Sequence, residues 1–169
     1  MAKREFSYRP NGSPQFLQDH LTKSSTAVTT EEQVGPSIKI PGGMLGKNGS
    51  FEAILRMSAT NNANVKTMRV RAGNTPDVLT GTVLAAFVNT SLAGSTGRLL
   101  FGNRNDQAVN VVTAEGATLA GVPAVTAIDT SKDVYLVFSS QTAVAGAASH
   151  NLDSYKVELF AEPSGVNFQ

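Results

Sequence analysis

FEAILRMSATNNANVKTMRVRA, residues 51–72, carries the pattern that decides the fold. Phe51, Ala53, Leu55 and Met57 fall on one side of an extended chain, with Glu52, Ile54, Arg56 and Ser58 on the other. Successive strand side chains point to opposite faces, so this alternation reads as a half-buried strand. Met68, Val70 and Ala72 then alternate with Thr67, Arg69 and Arg71. The intervening TNNANV is rich in turn-forming asparagine, so the two strands are expected to form a hairpin.

Downstream the pattern recurs in TVLAAFV, GRLLFGN, QAVNVVT, DVYLVFSS and SYKVELFAE. These short runs are rich in β-branched and aromatic residues and are separated by Gly, Asn, Asp or Ser. No segment carries a helical stripe longer than two turns, and no solenoid-length repeat is visible. The expected fold is all-β: an antiparallel two-sheet sandwich, jelly-roll-like, over residues 37–162.

Upstream, IPGGMLGKNG (residues 40–49) raises the question of a phosphate loop. Such a loop needs G-x-x-x-x-G-K-[ST] between a strand and a helix. Here Pro41 stands at the first glycine position, Asn48 follows Lys47, and a strand comes next. The stretch therefore reads as a corner that turns the chain from one strand into another.

Residues 1–36 have no sustained period and carry Pro10, Pro14, Pro36 and the polar run TKSSTAVTTEEQ. The reading is an extended N-terminal arm, too poor in apolar surface to offset its chain entropy. Lys3, Arg4, Phe6, Tyr8, Arg9, Phe16 and Leu17 are its candidate partner contacts. The expected division is thus an arm at 1–36, a sandwich at 37–162 and a short C-terminal extension at 163–169 anchored by Phe168.

The 169 residues suit one core, and 14 basic against 13 acidic residues leave a net charge of +1, which gives no long-range pull toward a polyanion. With no cysteine, disulfides and thiolate zinc sites are excluded. The charged N-terminus lacks the apolar centre of an export signal, and the longest apolar run, VLAAFV, falls far short of the ~20 residues of a membrane helix. A soluble protein is expected, without specific nucleic-acid or membrane partners.

No catalytic set emerges. The histidines are His20 in the arm and His150, read as a loop residue solvating a turn; Ser149 beside it lacks a nucleophile-elbow context. Asp129 and Asp133 in DTSKD are too few for a calcium loop and read as turn residues. Arg69 and Arg71 share one strand face, which is expected to meet solvent or a neighbouring subunit. No catalytic residue, cofactor or metal is assigned.

Three separated motifs resemble those of small structural proteins of tailed bacteriophages: the run from Ile40 to Thr75, then DTSKDVYLVFSSQ, then NLDSYKVELF. In that group an I-P-G-G-x-L-G opening, an Asn-rich hairpin ending in K-T-x-R-V-R, and a terminal S-Y-x-V-E-L strand frame a β-sandwich. The likeness spans roughly residues 38–160, and departs at Gly73-Asn74-Thr75, where a second glycine is commoner. It implies a virion component; an enzyme such as a depolymerase or esterase is not expected, because the sequence offers no paired acid and base or activated nucleophile. The first expectation is a capsid decoration (cement) protein, a homodimer or homotrimer whose arm clamps the major capsid protein lattice. The alternative is a receptor-binding or fibre-tip module presenting loops 91–97, 103–107 and 141–150.

Overall fold

The computed structural model describes residues 3–5, 15–76, 79–90, 94–116, 124–146 and 148–162, with side chains from residue 27 onward, Ala124 excepted. The strands in chain order are β1 (Lys3–Glu5), β2 (Gln15–Thr26), β3 (Glu32–Gln33), β4 (Ser37–Ile40), β5 (Ser50–Ala59) and β6 (Lys66–Gly73). They continue with β7 (Thr82–Asn89), β8 (Gly94–Asn103), β9 (Asn110–Glu115), β10 (Ala124–Thr126), β11 (Val134–Thr142) and β12 (His150–Phe160). One sheet has the order β1-β4-β11-β6-β7, with β3 also on β11; the other runs β10-β9-β8-β5-β12-β2. All pairs are antiparallel except β1 with β4. The chain is an all-β sandwich of jelly-roll type, and no helix occurs among the described residues.

The period-two pattern dictates the core. Phe51, Ala53, Leu55 and Met57 of β5 are buried, as are Met68, Val70 and Ala72 of β6, and all join one apolar cluster. Phe51 stacks on its cross-strand partner Phe101 with ring centroids 4.7 Å apart. Phe138 of one sheet meets Tyr155 of the other at 5.1 Å. Aromatic side chains of this size contribute about 1.5–3 kcal/mol each when fully buried.

Two expectations change. β5 and β6 do not form a hairpin: β5 lies between β8 and β12, whereas β6 lies between β11 and β7 in the opposite sheet. The Asn-rich segment is a crossover. Alternation reports which face of a strand is buried, and it reads the same whether the next strand pairs alongside or packs from across the core.

Residues 15–26, expected in the arm, form a twelve-residue strand along β12, from Gln15 opposite Leu159 to Thr26 opposite His150. Residues 3–5 and 32–33 are also sheet strands. Ladder hydrogen bonds are made by the backbone and need no apolar period, and a polar sequence such as QFLQDHLTKSST suits a sheet edge. The division at residue 36 therefore runs through the sandwich. Lys3 and Arg4 lie in edge strand β1, and Phe16 and Leu17 in edge strand β2. Phe6, Tyr8, Arg9 and the extension 163–169 with Phe168 lie outside the described residues.

The glycine-rich corner carries the chain from β4 in one sheet to β5 in the other, as its composition implied. Gly46 has φ +70°, and a Cβ there would stand 2.8 Å from a Glu162 carboxylate oxygen. At Gly49 a Cβ would lie 1.9 Å from the Leu45 carbonyl oxygen, a distance no side chain tolerates.

Candidate functional site

The corner, the β8–β9 loop and the β10–β11 loop converge at one end of the sandwich. What joins them is a buried polar network. Asn103 donates through Nδ2 to the Gly46 carbonyl (2.6 Å) and to Thr130 Oγ1 (2.7 Å). Thr130 Oγ1 in turn donates to the Gln107 carbonyl at 3.0 Å. Asn110 donates to Asn103 Oδ1 at 2.8 Å, and its own Oδ1 accepts from Ile128 N–H at 2.9 Å. Asn110 is fully buried and Thr130 nearly so. Buried polar groups are costly unless satisfied, and a closed network of this kind fixes the geometry of the backbones it joins.

The outer parts of the same loops are tied as well. Glu162 accepts from the backbone N–H groups of Lys47 (2.8 Å) and Asn48 (3.1 Å) and from Asn48 Nδ2 (3.1 Å). These bonds hold its carboxyl below the usual carboxylate range, those of Asn48 foremost. Asn48 Oδ1 accepts from Asn105 N–H at 3.0 Å, and Asn105 sits at φ +55°, a conformation asparagine tolerates better than most residues.

Above this scaffold opens a cleft of about 390 Å³, lined by Lys47, Asn105, Asp106, Gln107, Ala108, Asp129 and Ser131. Asp106 Oδ1 accepts from Ala108 N–H at 2.8 Å, closing a tight turn. Asp129 accepts from the hydroxyl and N–H of Ser131 and pairs with Lys132 at 3.0 Å. The Ser131 hydroxyl is the chief reason its carboxyl is held low. One of the loops expected to be presented, 103–107, thus supplies three cleft residues, with Asn103 underneath. The other two fare differently: of 91–97, residues 91–93 lie outside the described residues and 94–97 lies within β8, and among the described residues of 141–150 only 143–146 are exposed.

DTSKD is a turn, as its sequence implied: Lys132 N–H bonds the Asp129 carbonyl, while Asp133 accepts from Gly42 N–H at 2.9 Å and pairs with Lys39 at 3.0 Å. No group of three or more His, Asp or Glu is placed to hold a metal among the described residues.

At the opposite end lies a second polar group, sealed from solvent. Lys66 is fully buried, its Nζ donating to the carbonyls of Asn62 (3.0 Å) and Thr90 (2.6 Å); burial lowers its pKa. His150, expected to solvate a turn, is also fully buried and opens β12 opposite Ala59. Burial first, and then the charge of Lys66, push its pKa down to about 4. Asn89 Nδ2 stands 3.2 Å from His150 Nε2 and donates to Ser95 Oγ. Strand β12 starts earlier than SYKVELF alone indicates, which draws His150 inside. Ser149 turns instead to Thr60, with the hydroxyls 3.1 Å apart.

Arg69 and Arg71 do share an outer face, but their guanidiniums are held within the chain. Arg71 forms a two-pronged pair with Glu31 (2.7 and 2.8 Å) and donates to the Gly81 carbonyl. Arg69 donates to Gln141 at 2.7 Å and lies 3.5 Å from Glu31. Arg71, assisted by Ser139, keeps the Glu31 carboxyl below its ordinary range. The reading from sequence missed Glu31 because it lies in the segment taken as the arm.

No family model and no curated protein matches the chain. Among solved structures it is similar to the CBM2 module of an evolved Dit from Lactobacillus casei BL23 phage J-1, at 12% identity and TM-score 0.44, covering 82% of this chain and 76% of that one. A protein of unknown function from Shewanella oneidensis MR-1 shows 12% identity and TM-score 0.47, over 96% and 93% of the two chains. Lotus tetragonolobus seed lectin shows 12% identity and TM-score 0.40, over 92% and 97%. These are likenesses of sandwich architecture; the reading of the cleft rests on its own residues.

Proposed function

We propose that this chain is a structural protein of a tailed-phage virion that acts as a binding module, with the cleft end as its contact face. The observation that carries the binding role is the cleft itself: free polar side chains standing on loops that the Asn103–Asn110–Thr130 network locks together. Loops held rigid before contact lose little freedom on binding, which favours affinity. The virion setting comes from the sequence resemblance, whose motifs have structural work in this fold: the corner at 41–49, the Arg71 tie and the terminal strand β12. The proposal assigns no enzymatic activity.

A second reading, the capsid decoration protein, keeps one specific support. β1 and β2 are edge strands of the two sheets, so the N-terminal segment lies where a major capsid protein or a second copy of this chain can pair with it. With residues 15–26 in the sheet, a long free clamp is no longer its basis.

Separating DNA-filled heads from tails on a density gradient, and probing both with an antibody to this chain, tests the proposal. A few copies with the tail fraction supports the binding module; hundreds on heads supports decoration; absence from both refutes a virion role.

A further inference from the structure

Resting on the binding-module reading, we infer that the cleft takes a neutral, polyhydroxylated ligand, a saccharide unit of a surface glycan. Among the described residues, the side-chain amides of Asn105 and Gln107 and the ammonium of Lys47 make no hydrogen bond or close ion pair within the chain, although the Lys47 charge acts at longer range on Glu162; the Glu31, Glu162 and Asn103 groups are all bonded. Asp106 lines the cleft, with one carboxylate oxygen engaged in its turn. Each amide offers a donor and an acceptor side by side, and the carboxylate accepts; paired vicinal hydroxyls match such a set.

Charge excludes the alternatives. A cation meets Lys47, and the Asp129 oxygens are already taken by Ser131 and Lys132. An anion meets Asp106 and Asp129. An apolar ligand finds only Ala108, with no aromatic wall. The volume of about 390 Å³ falls in the ~300–1,000 Å³ range of small-molecule pockets. Without a ring to stack on, one contact is weak, and many copies on a particle multiply it into firm attachment.

The test is a titration of the ¹⁵N-labelled full chain with methyl glycosides of glucose, galactose, mannose, rhamnose and N-acetylglucosamine. In parallel arms, calcium chloride and inorganic phosphate replace the glycosides. The comparison variant is Asn105→Gly with Gln107→Ala. Glycine adopts φ +55° freely and keeps the N–H bonded to Asn48, so the loop retains its shape. At least one glycoside is expected to shift resonances of residues 47, 105–108 and 129–131 with millimolar affinity, weakened ~10-fold or more in the variant. The inference is overturned if no glycoside moves these resonances, if the variant binds equally well, or if only calcium or phosphate acts. None of those outcomes bears on the gradient experiment, so failure of the ligand class and failure of the virion role are distinguishable.

Discussion

Lowering the pH from about 8 to about 5 protonates His150 in the unfolded chain but leaves it neutral in the folded one. Its pKa falls from 6.5 to about 4 on folding, so between those values the unfolded state binds more protons. Stability is fully present above 6.5 and is lost as the pH falls toward 4. At ~1.36 kcal/mol per unit, the whole window corresponds to about 3 kcal/mol, of which about 2 kcal/mol is gone at pH 5. For a domain of this size, that lowers Tm by ~4–8 °C.

The charges that set this value are Lys66, which lowers it, and Asp153, which opposes. The carboxyls held low, Glu31, Asp129, Asp133 and Glu162, start from 4.5 or 3.8, so their losses belong to a more acidic window. Thermal unfolding followed by far-UV circular dichroism at both pH values is the assay, on the wild type, His150→Gln and His20→Gln. His150→Gln is expected to flatten the drop and His20→Gln to preserve it. A wild type with no drop, or a drop that survives His150→Gln, refutes the reasoning.

Three further outcomes follow from the geometry. Asn110→Ala leaves the Ile128 N–H and Asn103 Oδ1 unpaired in a buried setting, at ~1–3 kcal/mol for each such group, measured by urea unfolding. Glu31→Ala strips Arg71 of its two-pronged partner in a mostly buried site, and is expected to cost about 1.5–3 kcal/mol; a double-mutant cycle with Arg71→Ala tests whether the coupling accounts for it. Gly49→Ala places Cβ 1.9 Å from a backbone oxygen and is expected to prevent folding, whereas Gly43→Ala has space and meets only the strain of φ +75°, about 1–2 kcal/mol. Equal effects at Gly43 and Gly49, read by expression and Tm, contradict the corner geometry.

Strand positions were legible because inward residues repeat every second position: Phe51 to Met57, and Met68 to Ala72. Strand partners were not, because the same repeat serves two strands facing each other across the core. β2 escaped notice for a related reason, since its pairing with β12 is a backbone matter that polar side chains leave unmarked. The corner was readable because glycine suits both the positive φ at Gly46 and the close approach of the Leu45 carbonyl at Gly49. The loop 103–107 was legible as a presented loop. The inward asparagines beneath it were not, since nothing in the strand runs that hold Asn103 and Asn110 marks them as buried and bonded until Thr130 and Gly46 are brought beside them from elsewhere in the chain. His150 shows the same limit, for burial of a lone histidine at a strand start is decided by its opposite sheet.

The proposal that the cleft end is a contact face is tested most directly by coating fluorescent beads with the purified chain and counting those that adhere to bacterial cells bearing the glycan it binds. Wild-type beads are expected to adhere, and beads carrying Asn105→Gly with Gln107→Ala to lose that adhesion. Beads that fail to adhere in the wild type, or adhere equally in the variant, contradict it.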